Sequence, residues 1–291
     1  MAHWIPLTLL CALSLATADA VTKRWLSGWS ARDLTVVRFG LAGFVTLPLL
    51  LANPPDWPAP VFWGWVAWLI PLELLALLLY MQAIRDHALS LTLPYLAFTP
   101  VFVTLTGLMI LGEQVGAHGF AGIALVVTGS WLLHLDDWSP AAFRRTILAP
   151  LTHPGSRRML AVAFIYALTS VGGKGALQYM PAAQFGPLYI LLVGIAALIL
   201  FGGHSRLPRA VRAMPVPVLL VAGLVGVMIV THFLALQQVE TAYMISVKRI
   251  SLVFGILFGA LWFGETGTRQ KLSAGAIMLA GVGVISTQAP P

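Results

Sequence analysis

In the stretch YMISVKRISLVFGILFGALWFGE, residues 243–265, Lys248 and Arg249 stand side by side among residues otherwise suited to lipid. A charge at the centre of a bilayer costs at least about 2.5–3.5 kcal/mol on the most lenient scale, so each needs water, a partner or a ligand. An arginine fork grips a carboxylate or phosphate at two points, and a lysine adds a point charge. The pair therefore reads as a site for an anionic group. The competing reading is an ion pair inside the protein, with Glu73 in LIPLELLALL as the partner. Glu73 lies mid-segment behind Pro71, which frees a backbone carbonyl and bends a helix. It is read as a counter-charge or a proton site.

Other polar groups fall in apolar runs. Lys174, in SVGGKGAL, either lines the same cavity or snorkels to an interface. It is not in a phosphate-gripping loop, because Gly175 follows where that motif needs Ser or Thr. His232, in VTHFLALQQ, reads as a packing histidine or a proton relay, and Tyr95, Tyr243 and Ser246 offer hydroxyls to a binding cavity. Arg38 lies about five residues inside its apolar segment and reads as a snorkelling edge charge. No metalloprotease helix, nucleophile elbow or His/Asp/Glu cluster at metal spacing occurs, so neither catalysis, a metal nor a cofactor is expected. The lone Cys11 reads as packing.

These groups must be positioned by membrane helices. The chain has 291 residues, 59% hydrophobic and only 9% charged. Soluble domains carry about a quarter charged residues, so this chain cannot cover a water-facing surface. The formal charge of +7 fits basic residues at a membrane edge rather than a nucleic-acid site. A helix needs about 20 apolar residues to cross the hydrocarbon. Ten segments qualify, at approximately 4–22, 34–52, 61–83, 88–111, 117–134, 159–179, 184–202, 215–236, 241–263 and 272–288. They are numbered here as spans 1 to 10. Ala18-Asp19-Ala20 resembles a signal-peptide cleavage site, but no Lys or Arg precedes the apolar run, so span 1 is retained.

The chain repeats itself. Gly112-Glu113 ends PVFVTLTGLMILGEQ and Gly264-Glu265 ends SLVFGILFGALWFGET, an offset of 152 that also pairs Gly107 with Gly259 and Gly129 with Gly281. Near the start of each half, Lys23 pairs with Lys174 and Leu26 with Leu177 at offset 151. The expected organisation is a first five-helix repeat at 1–135, a cytoplasmic linker at 136–158 and a second repeat at 159–291. Five is odd, so the second repeat enters the membrane from the opposite face. Of the 17 basic residues, 13 lie in loops after odd-numbered spans and none in the other loops or termini. The fold class expected is an all-α polytopic membrane protein of ten helices in two inverted repeats. Both termini are expected outside a plasma (inner) membrane.

TPVFVTLTGLMILGE at 99–113, SLVFGILFGALWFGE at 251–265 and RFGLAGFVTLPLLL from Arg38 resemble the EamA type of the drug/metabolite transporter superfamily. That resemblance implies a carrier with a cavity between its halves, lined mainly by spans 3, 4, 8 and 9 and the inner ends of 1 and 6. Plastid phosphate translocators of the same superfamily carry a Lys-Arg pair in span 9 that grips a phosphate, and Lys248-Arg249 stand at that place. Their span-4 lysine, four residues before a proline, is here Leu96. The expected function is a secondary transporter of a small anionic or zwitterionic metabolite, working by alternating access. Lys248, Arg249, Lys174, Tyr243, Ser246 and Tyr95 are the substrate-binding candidates, Glu73 and His232 the counter-charge or proton sites. Protons are a candidate coupling ion. The alternative is a flippase for a lipid or lipid-linked phosphate on the same scaffold, which needs a lateral opening between helices.

The loop bias predicts orientation. A C-terminal reporter that fluoresces only in the cytoplasm should stay dark, and one active only outside should work. Bright cytoplasmic fluorescence from an intact fusion would reverse the orientation and leave the inverted repeat standing.

Overall fold

A computed structural model describes residues 3–87, 92–133, 135, 139–204, 211–264 and 268–287. Among these residues there is no strand, and the chain forms ten spans in two inverted five-helix repeats. Hydrocarbon offers backbone groups no partners, so each segment satisfies its own N–H and C=O as helix. Spans 1 to 3 are Trp4–Trp25, Ala31–Ala52 and Pro60–Asp86. Span 4 runs as a 3-10 segment, Leu93–Phe98, into the α-helix Thr99–Leu111, and span 5 is Ala117–Leu132. Spans 6 to 8 are Pro154–Ala176, Ala182–Phe201 and Pro215–Leu236. Span 9 is Thr241–Lys248 and Ser251–Phe263 with a turn between, and span 10 is Thr268–Ser286.

The repeat is visible in detail. Thr99–Leu111 and Ser251–Phe263 are both 13 residues long and begin and end at the offset of 152. Each ends on a glycine in the left-handed region, Gly112 at φ 69° and Gly264 at φ 63°. No other described residue has positive φ. In that conformation Gly112 donates to the carbonyl of Leu108 and Glu113 to that of Gly107, closing the last turn. The glycine of each Gly-Glu pair is thus a helix stop.

Packing follows the same symmetry. Span 1 lies on span 8 and span 6 on span 3; spans 2 and 7 pair with each other, as do spans 5 and 10. The self-paired helices meet backbone to backbone at glycines. A Cβ on Gly43 would sit 2.7 Å from the Leu191 Cα, and one on Gly194 would sit 2.5 Å from the Phe39 carbonyl oxygen. A Cβ on Gly122 would lie 2.9 Å from the carbonyl oxygen of Gly281. The glycines around Lys174 also serve packing: the Trp68 ring occupies the Cβ space of Gly172 and the Trp65 ring that of Gly175.

Several expectations change. The linker contains a helix of its own, Pro140–Thr152, and span 6 starts at Pro154, inside the stretch read as linker. Residues 88–91 of span 4 and Glu265 lie outside the described residues. Ser251, Gly255 and Gly259 follow Lys248 along span 9 at spacings of 3, 4 and 4. A Cβ on Gly255 would meet nothing within 4 Å, and all three residues line a cavity. Span 2 starts at Ala31, capped by the Ser30 hydroxyl, three residues earlier than read. Arg38 is therefore deeper, within a π-helical stretch, Val36–Leu41.

Two glycines test this packing. Gly43→Ala places a methyl against the fixed backbone of span 7 and should destabilise by about 1–3 kcal/mol. Gly255→Ala, facing open space, should leave the melting temperature within a degree or so of the parent. Equal effects in a thermal-melt comparison would contradict the spans 2–7 backbone contact.

Candidate functional site

A cavity of about 850 Å³ lies between the repeats. Spans 1, 3, 6, 8 and 9 supply most of its wall. Span 2 adds Arg38 and span 7 adds Tyr189, while among the described residues span 4 contributes only Leu96. The lining extends to Lys23, Ser27, Phe263 and Lys271 at the face carrying the basic loops. It stops short of Lys174, Glu113 and Glu240 toward the other face. The cavity is thus reached from the basic-loop face.

Span 9 breaks where its charges sit. Its first helix ends at Lys248 and the next begins at Ser251, so both cations lie at the turn. Lys248 Nζ is 3.2 Å from His232 Nδ1 and 3.7 Å from Met228 Sδ. A protonated lysine has no lone pair to accept with, so Nδ1 accepts and the imidazole proton sits on Nε2. Arg249 is 8% exposed and lines the cavity, yet its side chain makes no hydrogen bond or ion pair among the described residues. Its Nε is buried without a partner, and Tyr166 and Tyr80, which also line the cavity, lie within electrostatic reach.

Glu73 also lines the cavity. Tyr189 donates its hydroxyl to Oε2 at 3.4 Å, and Thr169 lies close by on the same wall, its hydroxyl donating to the Tyr166 carbonyl at 3.5 Å. Glu73 feels the charge of Lys248 but makes no ion pair with it. Among the described residues, the ion pairs are Arg38–Asp19 and Arg158–Asp86. The direct pairing of Glu73 with the span-9 cations is therefore replaced by a hydroxyl contact across the cavity.

Four candidates lie elsewhere. Lys174 Nζ donates to the carbonyls of Leu236 and Val239 at 2.6 and 3.0 Å, capping the end of span 8. The Tyr243 hydroxyl accepts from the Gly116 N–H at 3.4 Å, and its ring fills the space above Gly119. The Ser246 hydroxyl donates back to the Ala242 carbonyl at 2.7 Å and is fully buried. Tyr95 packs in a small cluster with Ala83, Met159 and Val162. None of the four lines the cavity in this structure. Conversely, Arg38 was misread. It is 4% exposed, lines the cavity and binds Asp19 Oδ1 at 2.6 Å. Tyr80, Tyr166, Tyr189 and Thr169 complete the polar wall. Asp19 was the legible signal: an acid in an apolar run at a depth that Arg38 can reach.

The sequence matches the model of the EamA-like transporter family twice, over residues 2–135 and 155–287. The chain belongs to that family. EamA-like proteins are membrane transporters of the drug/metabolite transporter superfamily. A solved crystal structure is similar to this chain in fold, with a TM-score of 0.74 over 99% of this chain and 96% of the other at 16% identity. No curated protein matches the sequence.

In this EamA-like transporter the face opposite the basic loops is closed around the turn between spans 8 and 9. Lys174 holds its carbonyls, the Ala182 N–H donates to Gln237 at 3.1 Å, and Gly116 reaches Tyr243. Glu113, in the loop after span 4, caps the start of span 9. It accepts from the Thr241 N–H at 3.0 Å and from the Thr241 hydroxyl at 2.9 Å. Burial pushes the Glu113 carboxyl above the usual glutamate range, and Glu240 adds to this; Thr241 and Lys174 oppose it. The acceptor oxygen therefore matters more than the charge. Glu113→Ala should speed hydrogen exchange at the amides of residues 241–243, and Glu113→Gln should stay near the parent. Unchanged exchange in Glu113→Ala would remove Glu113 from the closure.

Proposed function

We propose that this EamA-like transporter moves a small organic solute with an anionic group, either an anion or a zwitterion, across the plasma membrane by alternating access between its repeats. The observation that carries this reading is Arg249: a guanidinium over nine-tenths buried, on the wall of a cavity, with no partner. Breaking a buried pair typically costs about 3–5 kcal/mol because it strands a charge, and this site begins with one stranded. A visiting anion relieves that strain. Lys248, held by His232, supplies a second positive charge beside it. Lys23 and Lys271 at the mouth draw anions toward the cavity from the cytoplasm. Glu73, braced by Tyr189, offsets part of the positive charge or meets the cationic end of a zwitterion.

The remaining candidates fit the second half of the cycle. The contacts made by Lys174 and Tyr243 close the outer side, and they must break when the cavity opens outward.

The test is transport per folded molecule in reconstituted vesicles, alongside melting temperature with a panel of organic anions, amino acids and a short-chain lipid phosphate. An anion should raise the parent's stability by RT ln(1 + [L]/Kd). Arg249→Gln should remove most transport and most of that stabilisation while remaining folded. Arg249→Lys should also impair both, because two-point geometry is lost though charge is kept. Normal transport by Arg249→Gln would show the pair to be architecture. Movement of the lipid phosphate alone would favour a flippase.

A further inference from the structure

Arg38 and Asp19 form a charged pair in the wall of the transport cavity that the proposed anion site leaves unused. The Arg38 side chain is 5% exposed and the Asp19 side chain 38%, so Asp19 stands on the water side of the pair. Arg38 gives Nη1 to Asp19 at 2.6 Å, and its Nε is buried without a partner. Tyr80 and Tyr166 lie within electrostatic reach of both Arg38 and Arg249. Two guanidinium groups thus flank the same two tyrosines. One is open to a ligand, and the other is covered by a carboxylate belonging to the protein.

The second repeat does not carry this pair. At the offset of 151 that relates Lys23 to Lys174, Asp19 corresponds to Ser170 and Arg38 to Tyr189. Both of those residues also line the cavity, and Ser170 donates to the Tyr166 carbonyl at 2.6 Å. At the equivalent positions the second repeat carries neutral hydroxyl groups, which bond to the Tyr166 carbonyl and to Glu73 rather than to each other. A charged pair at one of two equivalent corners, facing the cavity, has a task other than holding helices together.

We propose that Asp19 sets the charge of the transported solute: it occupies Arg38 as a tethered stand-in for a second carboxylate, so the site takes solutes with one anionic group and turns away those with two. This rests on the reading of Arg249 as the anion anchor. A dianion held at Arg249 and reaching past the tyrosines meets the Asp19 carboxylate before it meets Arg38. Like-charge repulsion then opposes the second group. Without the Asp19 charge, Arg38 becomes a second anchor, and the preferred solute gains one negative charge. The direction of this change does not depend on the charge carried by Glu73.

The experiment uses the purified full-length chain and thermal-shift titration with matched probes: butyrate against succinate, and propyl phosphate against 3-phosphopropionate. The parent should favour the singly anionic-group member of each pair. Asp19→Asn should reverse the preference, with succinate affinity rising at least tenfold relative to butyrate. Arg38→Gln leaves Asp19 uncovered and should weaken every anion at least tenfold. Asp19→Asn/Arg38→Gln removes the pair as a unit and should return the parent's preference, which keeps the test open even if Asp19→Asn does not fold. A folded Asp19→Asn with the parent's preference overturns the assignment. So does a double variant that differs from the parent while Asp19→Asn is unfolded. If the parent's response depends on Arg249 in either case, the transport reading survives. No response of the parent to any anion would overturn both.

Discussion

A positive charge cannot rest in hydrocarbon without water, a partner or a ligand, and most of this structure is arranged around that constraint at Arg249. The turn in span 9 opens the helix at the charged pair, both cations line the cavity, and the small residues that follow keep that wall clear. The same constraint separates the three intramembrane cations that line the cavity. Arg38 has a carboxylate and Lys248 has an imidazole, while Arg249 has neither. A bundle built only for stability has no reason to pair two and strand the third. Buried ionic groups contribute little net stability even when paired, so the arrangement is better explained by what enters the cavity.

The framework is symmetric and the chemistry is not. Matching half-helices in spans 4 and 9, matching left-handed glycines and matching glycine contacts at the pseudo-axis belong to both repeats. The charges belong to one copy at a time. Lys248 and Arg249 correspond to Leu96 and Ala97, Glu73 to Val225, and Asp19 to Ser170. Symmetry lets two conformations of similar energy exchange roles across the membrane. Asymmetry lets a single solute site sit between them.

Much of the fold was legible because its signals are short-range. An apolar run of about 20 residues, a glycine that stops a helix and a basic loop each act within a few turns. That Lys248, Arg249, Glu73 and His232 face the cavity was legible for the same reason, since they are polar groups where lipid would otherwise be. The misread residues depended on helix phase. Tyr243 and Ser246 share the first half of span 9 with Lys248, but the side of the helix they occupy meets span 5 or its own backbone. Lys174 has the right depth and charge, yet the carbonyls left open at the end of span 8 lie within its reach. Arg38 was placed at the edge because the start of span 2 was set three residues late. The π-helical stretch around it then changes which face it presents, and hydropathy carries no trace of that change.

The closed end and the open end are linked through spans 8 and 9. The turn between them is held on one side by Lys174 and Glu113, and the helices leading from it carry His232 and Lys248, in contact with each other in the cavity. Anything that changes the relation of His232 to Lys248 therefore acts on the two helices whose junction seals the far face. In the proposed site an anion at Arg249 would compete for the neighbouring ammonium and so act on that contact directly. A ligand shifts a conformational equilibrium only by the difference in its affinity for the two states. In the proposed cycle that difference has a concrete source: the Lys248–His232 contact, present with the far face closed, is the one an anion at Arg249 would disturb.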